Sequence, residues 1–128
     1  SGWCALPAVI EGMAELVDGG WDDIMQQNHN LAIQARDLLC QRLGIQQPCP
    51  NEMIACISTI KLPGEIPPKE KMHEPDPLHH ILSEKYNIQV PVWSWPNPEG
   101  RYLRISAQLY NSIEQYEQLA DALVNELK

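Results

Sequence analysis

The sequence predicts an α+β domain in which a small, mostly antiparallel sheet of about three strands carries helices on one face. Four segments repeat apolar residues at helical spacing, and three short segments are rich in β-branched and aromatic residues. The last two strands are separated only by a short turn, which makes them antiparallel. The order helix, helix, strand, helix, strand, strand, helix favours two packed layers over an alternating parallel sheet.

Length and charge set the class of protein. The chain has 128 residues, of which 44% are hydrophobic, so we expect one domain over 1–128 with a single core. Its 17 acidic residues outnumber 9 basic ones, and the net charge of -8 disfavours contact with nucleic-acid phosphates. The sequence shows neither a membrane-spanning apolar run nor a signal peptide, so we expect a cytoplasmic protein.

Two helices are predicted in the first third of the chain. Pro7 is placed like a proline in the first turn of a helix, and Gly19-Gly20 ends that segment. The second helix begins near Trp21, with two acidic residues in its first turn, and Gly44 is predicted to cap its C-terminus.

The middle of the chain predicts a strand, a long connection and a third helix. Residues Met53 to Leu62 are rich in Ile and Thr, as is typical of a strand. Residues Pro63 to Pro75 include four prolines and indicate a long surface connection that could act as a mobile flap. Asp76 and Pro77 predict the N-cap and first turn of a helix that continues over Leu78 to Tyr86.

The last third predicts two paired strands and a helix. Residues Ile88 to Trp95 form a strand interrupted by Pro91, which places it at a sheet edge or at a bulge. A turn at 97–100 leads into the third strand, Tyr102 to Gln108. Ser112 begins the last helix through a capping box with the glutamine three residues later.

Cysteines and histidines give no strong sign of a site of their own. The four cysteines lack CxxC spacing and are expected to be free thiols, the alternative being one disulfide that involves Cys49 in a secreted protein. His79 and His80 are adjacent and point to different sides of a helix, so they are interpreted as surface histidines and no metal site is predicted. His73, in the predicted flap, is the histidine that could approach an active site.

Arg104 is the most informative single residue. In a strand, Leu103 and Ile105 share one face, and Arg104 lies on the other face with Tyr102. An arginine among apolar neighbours is costly to bury unless an anion pairs with it, and its planar fork suits a carboxylate. The spacing alone leaves two interpretations: a carboxylate-binding arginine, or a strand arginine paired with a local acid such as Glu99.

Three stretches of the sequence resemble a known family. They are residues 3–10 (WCALPAVI), GGW at 19–21 with NH at 28–29, and 103–111 (LRISAQLYN). The Arg-x-Ser string followed by Tyr-Asn and a capped helix resembles the C-terminal signature of class V aminotransferases. The longer stretches resemble the isopenicillin N epimerase branch, over essentially the whole chain.

The resemblance implies the C-terminal small domain of a pyridoxal 5'-phosphate (PLP) enzyme that acts on an α-amino acid, as an epimerase or aminotransferase does. A preceding large domain of that family binds PLP, so catalytic and cofactor-binding residues are expected outside this chain, and the parent is expected to be a homodimer. By its place in the motif, Arg104 is the residue that binds the substrate carboxylate. Ser106 and Asn111 are expected to shape the strand end and the helix start. From the opening at Ser1 without Met we expect a fragment, a processed chain or residues left by a tag.

The lysines and cysteines agree with a cofactor site outside the chain. A lysine that attaches PLP needs a desolvated pocket that lowers its pKa. None of the five lysines is placed for that role, and Lys61, at a strand end, is the nearest candidate. The five are Lys61, Lys69, Lys71, Lys85 and Lys128. No glycine-rich phosphate cradle is visible. No cysteine lies between Ile57 and Arg104, which disfavours persulfide chemistry of the cysteine desulfurase kind.

An alternative function is a non-catalytic acidic α+β domain that binds another protein. Trp93 and Trp95 lie two residues apart on one strand face, and we interpret them as core or domain-interface residues. Together with the first helix they would form the partner surface. A stable, monodisperse domain would favour this alternative, whereas aggregation through a large apolar face would favour a domain that lacks its other half.

Overall fold

A computed structural model describes residues 2–67, 75–96 and 99–127, and the order of elements predicted from the sequence is confirmed. The elements are α1 (Gly2–Ala14), α2 (Gly20–Leu43), a 3-10 turn (Asn51–Met53), β1 (Ile57–Leu62), α3 (Pro77–Tyr86), β2 (Val92–Pro96), β3 (Glu99–Ser106) and α4 (Ile113–Glu126). No helix within these ranges is long and apolar enough to cross a membrane.

The three strands form one antiparallel sheet in the order β1-β3-β2. Leu103 of the central strand lies opposite Ile60 on one side and Val92 on the other. The predicted antiparallel pairing of the last two strands is confirmed, and β2 is an edge strand, as Pro91 predicted. The turn between them includes residues 97–98, which lie outside the described residues.

The core lies between one face of the sheet and the helices, so the predicted α+β class is confirmed. Alternate residues of β1 and β3 are buried, as the period of two in a strand requires. The largest fully buried apolar side chains of this core are Leu39, Ile60, Leu82, Leu103, Ile105, Leu119 and Leu123. The opposite face of the sheet carries no helix among the described elements, and Arg104 lies on that face.

The predicted helix ends are confirmed where polar side chains or glycine define them. The Asp76 side chain accepts a hydrogen bond from the backbone N–H of Leu78, and Pro77 opens α3. Ser112 and Gln115 form the predicted capping box of α4. These three side chains bond backbone N–H groups that a helix start leaves unpaired.

The first helix begins and ends earlier than predicted. Pro7 lies inside α1 and not in its first turn, because the helix already begins at Gly2. The proline removes the hydrogen bond that its N–H would donate to the carbonyl of Trp3. No residue of α1 is buried, so water can bind that carbonyl. The helix ends at Ala14, before the predicted stop at Gly19-Gly20.

β1 begins later and β3 ends earlier than predicted because of local hydrogen bonds, whereas β3 starts at Glu99, before the predicted Tyr102. The predicted first strand began at Met53, but β1 begins at Ile57 because Asn51–Met53 forms a 3-10 turn. The third strand was predicted to reach Gln108, but β3 ends at Ser106. The N–H of Gln108 donates to the side chain of Asn111 instead of to a neighbouring strand.

The second strand also begins later, at Val92 rather than Ile88. The N–H of Ile88 donates to the carbonyl of Leu82 and so closes the end of α3. Within the predicted flap, residues 63–67 are irregular, and 68–74 lie outside the described residues. The predictions for Lys69, Lys71 and His73 fall in this undescribed range.

We expect Gly44→Ala to lower the free energy of unfolding by about 1–2 kcal/mol. Gly44 ends α2 with φ 65, a left-handed conformation that a Cβ atom disfavours, and its N–H bonds to the carbonyl of Gln41. Gly12→Ala is the matched control, because a Cβ there meets nothing within 4 Å and the residue is inside a helix. Urea denaturation should show destabilisation for Gly44→Ala only; equal effects would contradict the assignment.

Candidate functional site

Arg104 projects from the central strand on the face that is opposite the core. Its strand neighbours Leu103 and Ile105 are buried, and Arg104 is exposed, so the predicted alternation is confirmed. In the sheet register Arg104 lies opposite Thr59 of β1. The pairing on both sides of β3 holds the backbone at Arg104 rigidly and presents its side chain at a fixed point.

The guanidinium of Arg104 lies above an aromatic ring, and no acid of the described residues pairs with it. Its Cζ atom is 5.9 Å from the ring centroid of Trp93, within the range of a cation–π contact. Across residues 2–67, 75–96 and 99–127, Arg104 forms no ion pair. The alternative partner Glu99 lies five residues away, about 16 Å along an extended strand, and is out of reach.

Arg104 lines a cavity of about 390 Å³ between the segment that enters β2 and the start of α4. The walls combine polar and apolar side chains, including Gln89, Pro91, Ser106 and Tyr110. A concave space with one charged group and a few polar groups is the usual form of a small-molecule site. The positive charge of Arg104 suits this space for an anionic group of a ligand.

The floor of this cavity is held by hydrogen bonds from α4 and the preceding turn. The hydroxyl of Tyr116 donates to the carbonyl of Ser106 at 2.6 Å. Asn111 accepts from the N–H of Gln108 at 3.0 Å and donates to Gln115 at 2.9 Å. Asn111 therefore shapes the strand end and the helix start, which is the role expected of it. Burial, and secondarily the nearby phenol of Tyr110, raises the pKa of Tyr116, so its hydroxyl remains a donor near neutral pH.

A buried ion pair that the sequence did not indicate lies beside the site. Arg101 donates from Nε and Nη2 to the two carboxylate oxygens of Asp76, at 2.8 and 2.6 Å. Asp76 is fully buried, so this fork joins β3 to the start of α3. A signal was available: the period of two from Leu103 places Arg101 on the core face, where an arginine needs an acid.

A second arginine, Arg36 of α2, is fully buried and was also missed. It donates to Asp37, to the carbonyl of Cys49 at 3.1 Å and to the side chain of Asn51. These bonds tie the loop after α2 to the helix. The available signal was its place four residues after the buried Ala32, within the apolar stripe.

Two half-buried histidines, His79 and His29, have defined backbone partners. The ring Nδ1 of His79 lies 2.8 Å from the carbonyl of Val90, and that of His29 lies 2.9 Å from the carbonyl of Ile54. His80 is exposed, as predicted. The described residues include no cluster of three or more side chains that could hold a metal ion.

The described lysines do not fit a PLP site. Lys85 binds Glu126 at 2.7 Å on an exposed surface, and Lys61 extends over Gly100 at an exposed strand end. Neither lies in a desolvated pocket of the kind that lowers a lysine pKa. We therefore derive no cofactor chemistry from these residues.

Trp93 and Trp95 lie on the outer face of the sheet and are not part of the core. With Thr59 and Tyr102 they line a shallow apolar cleft of about 320 Å³. Trp93 is half-buried and Trp95 is exposed. The predicted role of these two residues in the core is therefore wrong, and their role at a domain interface stays a prediction.

The chain is similar over nearly its whole length to several proteins, although no family model matches it. A probable chloroplastic L-cysteine desulfhydrase of Arabidopsis thaliana is 31% identical over 92% of the chain, and the chain spans 26% of that protein. An isopenicillin N epimerase of Streptomyces clavuligerus is 32% identical over 94% of the chain, with 28% of its length spanned. An L-cysteine desulfhydrase of Arabidopsis thaliana is 29% identical over 96% of the chain, with 30% spanned.

The chain thus spans between a quarter and a third of the length of these relatives. The similarity includes the epimerase branch that the sequence resembled and extends it to the desulfhydrases. The fold is a small α+β unit, and the similarity covers nearly the whole of it. The chain belongs to the class V aminotransferase-like family that includes L-cysteine desulfhydrases and isopenicillin N epimerases.

Proposed function

We propose that this chain is the C-terminal small domain, over 1–128, of a PLP-dependent enzyme that acts on an α-amino acid. Arg104 binds the carboxylate of that amino acid, and a large domain that precedes the chain holds PLP. The observation that carries the proposal is that Arg104 lines a cavity while its guanidinium has no acidic partner among the described residues.

Arg104 orients the substrate for the reaction. When bound, PLP supplies the electron sink that weakens bonds to the α-carbon of an amino acid. The bond that breaks must be aligned with the ring system, and a two-pronged contact to the carboxylate restricts rotation of the substrate. The paired strand and the contact with the Trp93 ring hold Arg104 in one place, so the substrate carboxylate is fixed relative to the rest of the enzyme.

The names of the relatives supply two candidate reactions. One is the desulfhydrase reaction on L-cysteine, and the other is an epimerase reaction. Both candidates are compatible with an arginine that holds a carboxylate and leaves the chemistry to groups outside this chain. We propose a cytoplasmic homodimer that dimerises mainly through the large domain.

The exposed apolar face of α1 supports the proposal that a further domain packs against this chain. No residue of this helix is buried; Trp3 is 82% exposed, and Leu6, Val9 and Ile10 are exposed beside it. A side-chain hydrogen bond joins α2 to α1, in which Trp21 Nε1 donates to the carbonyl of Ile10 at 3.0 Å. Apolar patches of this kind mark interfaces, and we propose that the large domain covers this one.

Purification of the native gene product tests the proposal. Denaturing mass spectrometry is expected to give a mass well above 14.5 kDa, and the purified protein is expected to show the absorbance of bound PLP. A product of 14.5 kDa without PLP would overturn the proposal and favour the acidic protein-interaction domain, with α1, Trp93 and Trp95 as its partner surface.

A further inference from the structure

We propose that Trp93 is a positioning residue, which holds the guanidinium of Arg104 in the orientation that binds a carboxylate. This inference rests on the proposed function of Arg104 and adds a second residue to the site. It is carried by the contact of the two side chains and by the hydrogen bonds that fix the backbone just before Trp93.

The sheet register places Trp93 diagonally across from Arg104. Trp93 lies opposite Tyr102, two residues before Arg104 on the central strand and on the same face. Diagonal neighbours on one face are close enough for an aromatic ring to reach a long side chain. The Cζ atom of Arg104 lies 5.9 Å from the ring centroid of Trp93, which agrees with this geometry.

The backbone that carries Trp93 is held by three consecutive carbonyl groups. The carbonyl of Val90 accepts from the His79 ring at 2.8 Å, and that of Val92 accepts from the N–H of Asp76 at 3.2 Å. Between them, the carbonyl of Pro91 accepts from the N–H of Arg104 at 3.2 Å. Trp93 therefore occupies a fixed place on an edge strand whose beginning is tied to α3 and β3.

The contact with Trp93 supports Arg104 without an ion pair. The guanidinium has five N–H donors, and no acid of the described residues pairs with it. A free arginine side chain has many rotamers, and ordering it on binding reduces affinity. The Trp93 ring restricts Arg104 before the ligand arrives. Other described side chains give Arg104 no ion pair that could replace this support.

The test measures amino-acid affinity of the parent enzyme from the native gene, with L-cysteine as the probe. Trp93→Leu is expected to raise the apparent dissociation constant about two- to fivefold, the range of an exposed cation–π contact. Trp93→Phe keeps an aromatic ring and is expected to restore most of the affinity. Trp95→Leu is the matched control, because Trp95 lies on the same strand face and has no contact with Arg104.

Three results together separate this inference from the proposed function. If Arg104→Ala weakens binding and Trp93→Leu does not, Trp93 has no positioning role and the function of Arg104 stands. If Arg104→Ala has no effect either, the carboxylate role itself fails. The melting temperature of Trp93→Phe is expected to match that of the unchanged protein, so that a change in affinity can be distinguished from a folding defect. Equal losses for Trp93→Phe and Trp93→Leu would overturn the inference.

Discussion

Arg104→Ala in the parent enzyme is expected to weaken amino-acid binding by about 10- to 100-fold while PLP stays bound. A charge-assisted hydrogen bond contributes about 1.5–3 kcal/mol, and 1.4 kcal/mol corresponds to a tenfold change in affinity. The substitution removes both prongs of the contact but touches no core side chain, because Arg104 is exposed. Titration of the purified variant with an amino acid, followed through the absorbance of PLP, measures the change.

Two further variants show whether geometry or charge is responsible. Arg104→Lys retains the charge and loses the planar fork, so an intermediate affinity is expected. Arg42→Ala removes another arginine, one that pairs with Asp121 on the surface of the helices, and is expected to leave affinity unchanged. Unchanged binding in Arg104→Ala, or an equal loss in Arg42→Ala, would contradict the proposed role of Arg104.

Asp76→Ala is expected to lower the free energy of unfolding by about 3–5 kcal/mol, the largest effect on stability that we expect in this chain. The change leaves the largely buried Arg101 without its carboxylate and also removes the N-cap of α3. Burying a charge without a partner is the main cost. Urea denaturation of the purified variant measures the change.

The exposed pair of Arg42 and Asp121 is the matched control for this measurement. Their side chains are 41% and 62% exposed, so Asp121→Ala is expected to cost less than about 1 kcal/mol. Asp76→Asn keeps a cap acceptor and removes the charge, and is expected to lie between the two. If Asp76→Ala were as mild as Asp121→Ala, the pair of Arg101 and Asp76 would not hold β3 to α3.

Local signals in the sequence were sufficient to predict the order of the helices and strands and most of the residues at which they begin or end. Gly44, Asp76 and Ser112 each act within a few residues of their own position, so their effects could be predicted from neighbours alone. The strand alternation that places Arg104 outside and Leu103 inside is equally local. Pro7 misled the prediction, because a helix with no buried face can carry a proline whose lost hydrogen bond is left to water.

Contacts between distant segments could not be predicted from local signals. Arg101 and Asp76 are 25 residues apart, and their pairing depends on how α3 packs against β3. The contact of Arg104 with Trp93 depends in the same way on the register of two strands. The resemblance to a family indicated Arg104 as a site residue, but it gave no information about the neighbours that hold its side chain.

The most direct test of the carboxylate role compares two ligands on two proteins. L-cysteine and cysteamine differ by the carboxylate, and their affinities are measured for the parent enzyme and for its Arg104→Ala variant. We expect the unchanged enzyme to prefer L-cysteine and Arg104→Ala to lose this preference, with cysteamine binding nearly unchanged. A variant that kept the full preference for L-cysteine would show that Arg104 does not bind the carboxylate.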